Sequence, residues 1–291
     1  DDPKVYKMFA KGLTIGVFQF ESSGMREFLK KLKPTVLEDL IAMNALYRPG
    51  PMDNIDDFIS RKHGKKKIKY THPAMESILN ETYGIIVYQE QVMQIAHEIA
   101  GFTLAEADIM RRAMGKKDKE SMDELKVKFI DGALEKHHIS KKKGEEIYEL
   151  IEKFAEYGFN KSHSTAYAYV AYRTAWLKIH YPAEFMSANL TSEMSNIDRV
   201  VILINECRKL KIDVDPPDVN ISGTNFRPVD NKTISFGLNA IKNVGSKALD
   251  QIVEARGKHG KFESLFDFTA NVSLKSVNRK VLESMNMAGA L

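Results

Sequence analysis

The chain has 291 residues, of which 43% are hydrophobic and 28% charged, and its net charge at pH 7 is +4. This composition is that of a globular protein, and it excludes disordered and collagen-like chains. No apolar run approaches the roughly 20 residues that cross a bilayer, and the single cysteine, Cys207, predicts a buried structural thiol in a reducing, cytoplasmic protein rather than a disulfide.

Residues 1–175 are predicted to form a mainly helical domain. The apolar stretch at residues 83–88 is either a short strand or the approach to a helix. Thr103 and Glu106 have the spacing of a capping box, which predicts that a helix begins there and ends at Gly115. The chain begins without a methionine or a signal peptide, so we expect it to be a segment of a longer protein.

The second half of this domain is predicted to contain a helix at residues 144–157, ended by Gly158. A loop at residues 160–164 and an aromatic-rich helix at 165–180 are expected to follow. Pro182 predicts the next helix, because proline is tolerated at a first helical position.

The pattern changes after residue 212. We expect residues 176–237 to form a helical extension and a short β-hairpin that turns at Asp230 and Asn231. Residues 238–291 are predicted to form a helix-hairpin-helix region of two short helix pairs, the second capped by Asn278 and ended by Gly289. The predicted fold class is therefore mainly α, a helical domain followed by a small α/β segment with helix-hairpin-helix motifs.

The first candidate site is the beginning of the aromatic-rich helix. Unpaired amides and the helix dipole favour an anion at such a position. A lysine adds a point charge and its neighbours add hydrogen-bond donors, so the segment predicts phosphate binding by Asn160, Lys161, Ser162 and His163. The alternative is an ordinary helix cap, for which Ser162 or Ser164 alone is sufficient.

The second candidate site follows the capping-box helix. Paired arginines match phosphate oxygens, and four cations lie within one turn and a loop, namely Arg111, Arg112, Lys116 and Lys117. The alternative is that these cations only complement the dipole at the end of the helix.

The third candidate site is the turn of a predicted helix-hairpin-helix, which presents backbone amides to a DNA phosphate without reading bases. Asn243 stands where this motif usually has its first glycine, and asparagine tolerates the left-handed φ required there. The predicted DNA-binding residues are Lys242, Asn243, Val244, Gly245, Ser246 and Lys247. The alternative is a plain helical hairpin.

Residues for metal or covalent chemistry are not predicted. Asp213 and Asp215 resemble the paired carboxylates of a two-metal site, but two prolines follow at once and a third carboxylate on a neighbouring strand is missing. The histidines lack metal-ligand spacing. We therefore expect neither catalytic residues nor metal ligands in this chain.

Six motifs in the same order resemble one family, the alpha subunits of bacterial DNA polymerase III, which are C-family replicative polymerases. The motifs are residues 16–22, 46–51, 83–91, 111–117, 157–164 and 180–186. The resemblance covers essentially the whole chain. It implies that residues 1–175 are the fingers, which bind the incoming dNTP and the template, followed by the tandem helix-hairpin-helix element.

The resemblance also implies what lies outside the chain. The catalytic aspartates and their Mg²⁺ ions belong to a palm domain upstream, so the chain alone is expected to be inactive. The expected partners are primed DNA, dNTP and, in the full enzyme, the sliding clamp and other holoenzyme subunits, with no membrane. The alternative function is a non-catalytic DNA-binding module that contacts only the template backbone.

Overall fold

The computed structural model of the protein describes residues 1–116, 118–155 and 157–291. Its contacts divide the chain into two compact units. The first comprises Asp1–Thr14 and Phe18–Arg173, and the second comprises Ile15–Val17 and Thr174–Leu291. The described residues are mainly helical and include a small three-stranded sheet, so the predicted fold class is confirmed. Among these helices, none has both the length and the apolar character needed to cross a bilayer.

The first unit contains or begins ten α-helices within the described ranges. They are α1 (Pro3–Ala10), α2 (Ser23–Leu32), α3 (Leu37–Leu46), α4 (Ile55–Lys62), α5 (Glu76–Leu79), α6 (Gln89–Ala100), α7 (Leu104–Lys116), α8 (Lys119–His137), α9 (Lys141–Ala155) and α10 (Lys161–His180). Short 3₁₀ turns occur at Pro51–Asn54, Pro73–Met75 and Asn80–Thr82.

Helices α6 to α9 bury a common apolar core. Val92, Ile95 and Ile99 recur at helical spacing on one face of α6 and are fully buried. Phe129 of α8 and Ile147 of α9 pack in the same cluster. This core fixes the direction of α6, and with it the position of the first residues of that helix.

The capping box at the beginning of α7 is confirmed. The Thr103 amide donates to Glu106 Oε2 at 2.9 Å, and the Glu106 amide donates to Thr103 Oγ1 at 3.3 Å. The helix continues through Gly115 to Lys116, one residue beyond its predicted end. The predicted beginning of α9 at residue 144 is three residues late, since the helix begins at Lys141.

The predicted loop at residues 160–164 is wrong, because α10 begins at Lys161 rather than at Thr165. Asn160 supplies the cap. Its Oδ1 accepts from the His163 amide at 2.8 Å, and its carbonyl accepts from the Ser164 amide at 3.1 Å. Residues 161–164 therefore form the first turn of the helix.

The second unit contains the remaining helices and the sheet. They are α11 (Pro182–Ser192), α12 (Ile197–Lys209), β1 (Asp213–Val214), β2 (Arg227–Asp230), β3 (Thr233–Ser235), α13 (Ser246–His259), α14 (Leu265–Asn271) and α15 (Arg279–Met287). The strand order is β1-β3-β2, with β1 parallel and β2 antiparallel to β3. The predicted hairpin and the prediction that Pro182 opens a helix are both confirmed.

A buried ion pair lies inside the second unit. Lys178 Nζ donates to Glu206 Oε1 at 2.7 Å and to the Ile15 carbonyl at 2.8 Å. The two side chains are only 1% and 4% exposed. The next residue, Cys207, is buried as predicted, and burial raises the pKa of its thiol to about 12.

The C-terminal region differs in part from the predicted two helix pairs. A single 3₁₀ turn, Leu238–Ala240, stands where the first helix of the hairpin was expected, and α13, α14 and α15 follow it. The cap of α15 is confirmed, since Asn278 Oδ1 accepts from the Val281 amide at 3.2 Å. Gly289 follows the helix with a φ of +74°, as expected for a residue that ends a helix.

Candidate phosphate-binding sites

The beginning of α6 and the segment that leads into α10 lie side by side. The Gln89 amide donates to the Phe159 carbonyl at 3.0 Å, and the Phe159 amide donates to the Val87 carbonyl at 3.2 Å. Residues 83–88 are therefore the approach to a helix, with one parallel bridge between Tyr88 and Phe159 rather than a strand of their own.

Glu90 caps α10 from a distance in sequence. Its Oε1 accepts from Asn160 Nδ2 at 2.9 Å, and its Oε2 accepts from the Lys161 amide at 2.9 Å. A carboxylate is favoured here because helix amides and the helix dipole attract negative charge. The predicted anion position at this helix end is thus occupied by an anionic group of the chain itself.

Lys161 is also paired with a carboxylate. Its Nζ donates to both oxygens of Glu81, at 2.7 and 2.8 Å, and lies 5.5 Å from the centroid of the Tyr88 ring. The lysine and glutamate side chains are 37% and 30% exposed. The ammonium group is therefore ordered but accessible to a competing anion.

The two arginines of the second candidate site share one carboxylate. Arg111 Nη2 and Arg112 Nη2 each lie 2.7 Å from an oxygen of Asp108. The hydrogen bond from Arg111 is the largest cause that lowers the pKa of Asp108. Lys116 is exposed at the end of α7, and Lys117 lies outside the described residues.

Gln89 connects the first two candidate sites. Its Nε2 donates to the Gly158 carbonyl at 3.0 Å, and its Oε1 lies 3.4 Å from Arg111 Nη1. Sequence reasoning missed Gln89, Glu90 and Glu81. A signal was present for Gln89 and Glu90, because a run of glutamine and glutamate at the start of a helix offers both donors and acceptors to neighbouring segments.

A small cavity adjoins the first turn of α10. It has a volume of about 190 Å³, and Arg48, Phe159, His163 and Tyr167 are among the residues that line it. The His163 ring lies 4.3 Å from the Tyr167 ring, and the Arg48 guanidinium lies 4.3 Å from the Phe159 ring centroid. Ser162 is exposed on the same turn. Of the predicted residues at this helix end, His163 lines the cavity.

The third candidate site is in the second unit. Asn243 has the predicted left-handed conformation, with a φ of +69°, and its Nδ2 donates to Ser284 Oγ at 3.1 Å. Gly245 precedes α13 without a side-chain cap. Val244 is 5% exposed and packs in the core, so its side chain faces inward. The other predicted residues of this site, Lys242, Asn243, Gly245, Ser246 and Lys247, are exposed.

The aspartates that sequence analysis set aside lie at the sheet. Asp213 is on β1, and its amide donates to the Lys232 carbonyl at 2.8 Å, while the Asp215 amide donates to the Ile234 carbonyl at 2.9 Å. Within residues 1–116, 118–155 and 157–291, no group of three or more His, Cys, Asp or Glu side chains is arranged to hold a metal ion.

Comparisons with known proteins agree with these features. Residues 1–137 match the family described as the bacterial DNA polymerase III alpha subunit finger domain, and residues 211–291 match a helix-hairpin-helix motif. Over its full length the chain is 51% identical to DNA polymerase III subunit alpha of Pseudomonas aeruginosa, and 48% identical to those of Caulobacter vibrioides and Escherichia coli K12. It spans about a quarter of these relatives, namely 25% of the first two and 26% of the third.

Proposed function

Because the chain belongs to the bacterial DNA polymerase III alpha subunit family, as the stretch that carries the fingers and a helix-hairpin-helix, we propose that it binds the incoming dNTP and the template for template-directed DNA synthesis. The observation that carries this proposal is the meeting of two cationic segments at Gln89. Arg111 Nη1 contacts Oε1 of its terminal amide, and Nε2 of the same amide donates to the carbonyl of Gly158, which precedes the helix that begins at Lys161.

The chemistry of the site fits a triphosphate. Three of the proposed cations are ordered by carboxylates, Lys161 by Glu81 and the two arginines by Asp108. A triphosphate carries several negative charges, so it competes for the same donors. Donors that are ordered in advance lose little entropy when they bind it. The proposed role of this chain is therefore to neutralise and orient the nucleotide.

We assign the catalytic step of the reaction to parts of the polymerase outside this chain. The relatives are about four times as long as this chain, and we place the catalytic carboxylates and their Mg²⁺ ions in the part that lies beyond the match. When bound, those ions would supply activation of the primer hydroxyl and charge neutralisation. On this proposal the chain alone does not polymerise. The sliding clamp and other holoenzyme subunits are proposed partners of the whole polymerase.

We propose that the helix-hairpin-helix holds duplex DNA through its backbone. The exposed turn with Lys242 and Lys247 leads into α13, whose first amides have no side-chain cap at Gly245. Uncapped amides at a helix beginning are donors for a phosphate oxygen. Such contacts are independent of base sequence and weaken with added salt.

The test is Lys161→Ala in the intact polymerase subunit, with steady-state kcat and KM for dNTP as the measurement. Loss of a charge-assisted hydrogen bond costs about 1–3 kcal/mol, which is roughly a 5- to 150-fold loss in kcat/KM. Lys128→Ala is the control, because Lys128 pairs with a glutamate on the same unit but lies outside the proposed site. Unchanged kcat and KM in Lys161→Ala, with weaker DNA binding, would instead favour a module that contacts only the template backbone.

A further inference from the structure

We propose that Gln89 is a positioning residue for the incoming nucleotide, an inference that rests on the proposed function. Gln89 is not assigned a phosphate contact of its own. It holds Arg111 and the segment that leads into α10 at a fixed separation, so that both reach the same triphosphate. The three observations that support this role are its hydrogen bonds, its packing and the way its own backbone is held.

The hydrogen bonds of Gln89 reach both segments. The backbone amide donates to the Phe159 carbonyl at 3.0 Å, and the side-chain Nε2 donates to the Gly158 carbonyl, also at 3.0 Å. The side-chain Oε1 faces Arg111 Nη1 at 3.4 Å. Among uncharged side chains of this length, only an amide can donate to a carbonyl and accept from a guanidinium at once.

The packing at Gly158 is close. A Cβ at this position would lie 3.1 Å from Gln89 Cγ and 3.4 Å from the Phe154 carbonyl oxygen. The absence of a side chain at Gly158 therefore lets the α10 approach lie directly against Gln89. A displacement of about 1 Å between groups that bind one ligand is enough to weaken binding and catalysis severely.

The residues on either side of Gln89 fix its position. Gln91 is buried, and its Oε1 accepts from the Val87 amide at 2.9 Å and the Tyr88 amide at 3.1 Å. Glu90 accepts from the Lys161 amide. Because the backbone before and after Gln89 is held in this way, the Cα position of Gln89 is fixed, and its side chain can contact Arg111 and Gly158.

The experiment compares Gln89→Met with Gln94→Met in the intact polymerase subunit. Methionine keeps the length and volume of glutamine but removes the donor and the acceptor. Gln94 lies on the same helix and is exposed, so it is the matched control. We expect Gln89→Met to raise KM for dNTP about tenfold, as for one or two lost hydrogen bonds, with a smaller change in kcat. Gln94→Met is expected to leave both unchanged.

A double variant separates positioning from a general structural role. If Gln89 acts through Arg111, the effect of Gln89→Met on KM is smaller in an Arg111→Ala background than in the wild type. Additive effects, or a lower unfolding midpoint with unchanged KM, would overturn the positioning role. If Gln89→Met does not fold, Gln89→Glu is used, which keeps the acceptor for Arg111 and loses the donor to Gly158, and an unchanged KM overturns the role.

The outcomes also separate this inference from the proposed function. If Arg111→Ala and Lys161→Ala both leave KM for dNTP unchanged, nucleotide binding at this site is refuted. If those variants raise KM but Gln89→Met does not, nucleotide binding stands and the positioning role of Gln89 is refuted.

Discussion

The buried ion pair of the second unit should control its stability. Lys178 and Glu206 are 1% and 4% exposed, so water cannot screen either charge when its partner is removed. The substitution Glu206→Gln keeps the size of the side chain but removes the carboxylate charge that Lys178 Nζ contacts at 2.7 Å. Breaking a buried pair in this way costs about 3–5 kcal/mol.

The contacts of Lys178 also predict how a double variant of this ion pair should behave. Lys178→Met removes the donor to Glu206 Oε1 and also the donor to the Ile15 carbonyl, 2.8 Å away. When both charges are replaced, in Lys178→Met combined with Glu206→Gln, neither member of the buried pair still carries a charge. The double variant should therefore be destabilised by less than the sum of the single variants, with a coupling free energy of about 1–3 kcal/mol.

The assay is equilibrium denaturation of the 291-residue chain in urea, and the quantity compared is the free energy of unfolding. Glu283→Gln is the control, because it breaks the Arg279–Glu283 pair of the same unit, whose side chains are 91% and 57% exposed. Because solvent screens this exposed pair, the change should leave the free energy of unfolding almost unchanged. A loss below about 1 kcal/mol in Glu206→Gln, or additive effects in the double variant, would refute the reasoning.

Three further outcomes are expected. Gly245→Ala should weaken duplex DNA binding about tenfold, a loss equivalent to one charge-assisted hydrogen bond. Its unfolding midpoint should not change, because a Cβ at this position meets nothing within 4 Å. Gly257→Ala is the control: its Cβ is equally unobstructed, and DNA binding should be unchanged. Glu81→Gln should lower KM for dNTP, because loss of the carboxylate frees Lys161 to bind the nucleotide. The decrease should be at most about fivefold, since a partly exposed ion pair is worth at most about 1 kcal/mol. A raised KM would show instead that Glu81 orients the lysine. The pKa of Glu106 is lowered from 4.5 to about 2, chiefly by its hydrogen bond with Lys128. The ionised Glu106 therefore stabilises the fold above pH 4.5, and this stabilisation is lost as the pH falls towards 2. The difference in melting temperature between wild type and Glu106→Gln should shrink over that range, and a constant difference would contradict this account.

Local features of the fold could be predicted from the sequence. The capping box of α7, the proline at the beginning of α11 and the left-handed Asn243 each depend on groups within a few residues of one another. Neighbours along the chain are always close in space, so their hydrogen bonds can be inferred without knowing the fold. The family motifs added the order of the regions.

The partners of the charged groups in the candidate site could not be predicted in the same way. Lys161 was expected to present its charge and its helix amide to a ligand, yet both are paired, with Glu81 and Glu90. These partners lie 80 and 71 residues earlier in the chain. Their approach depends on how the core under α6 packs. The hairpin before α13 is likewise shortened to a 3₁₀ turn.

The bridge between Tyr88 and Phe159 has a consequence for how the protein is made. During synthesis α6 leaves the ribosome some 70 residues before its partner segment, and closing a loop of that length costs about 4 kcal/mol in chain entropy. Until residues 160 and 161 have emerged, Glu90 lacks the two donors that it accepts from in the folded protein. The match to the fingers family ends earlier, at residue 137. A nascent chain that stops at that boundary would contain the apolar face of α6 but only one side of the proposed nucleotide site, so the site becomes complete only late in translation.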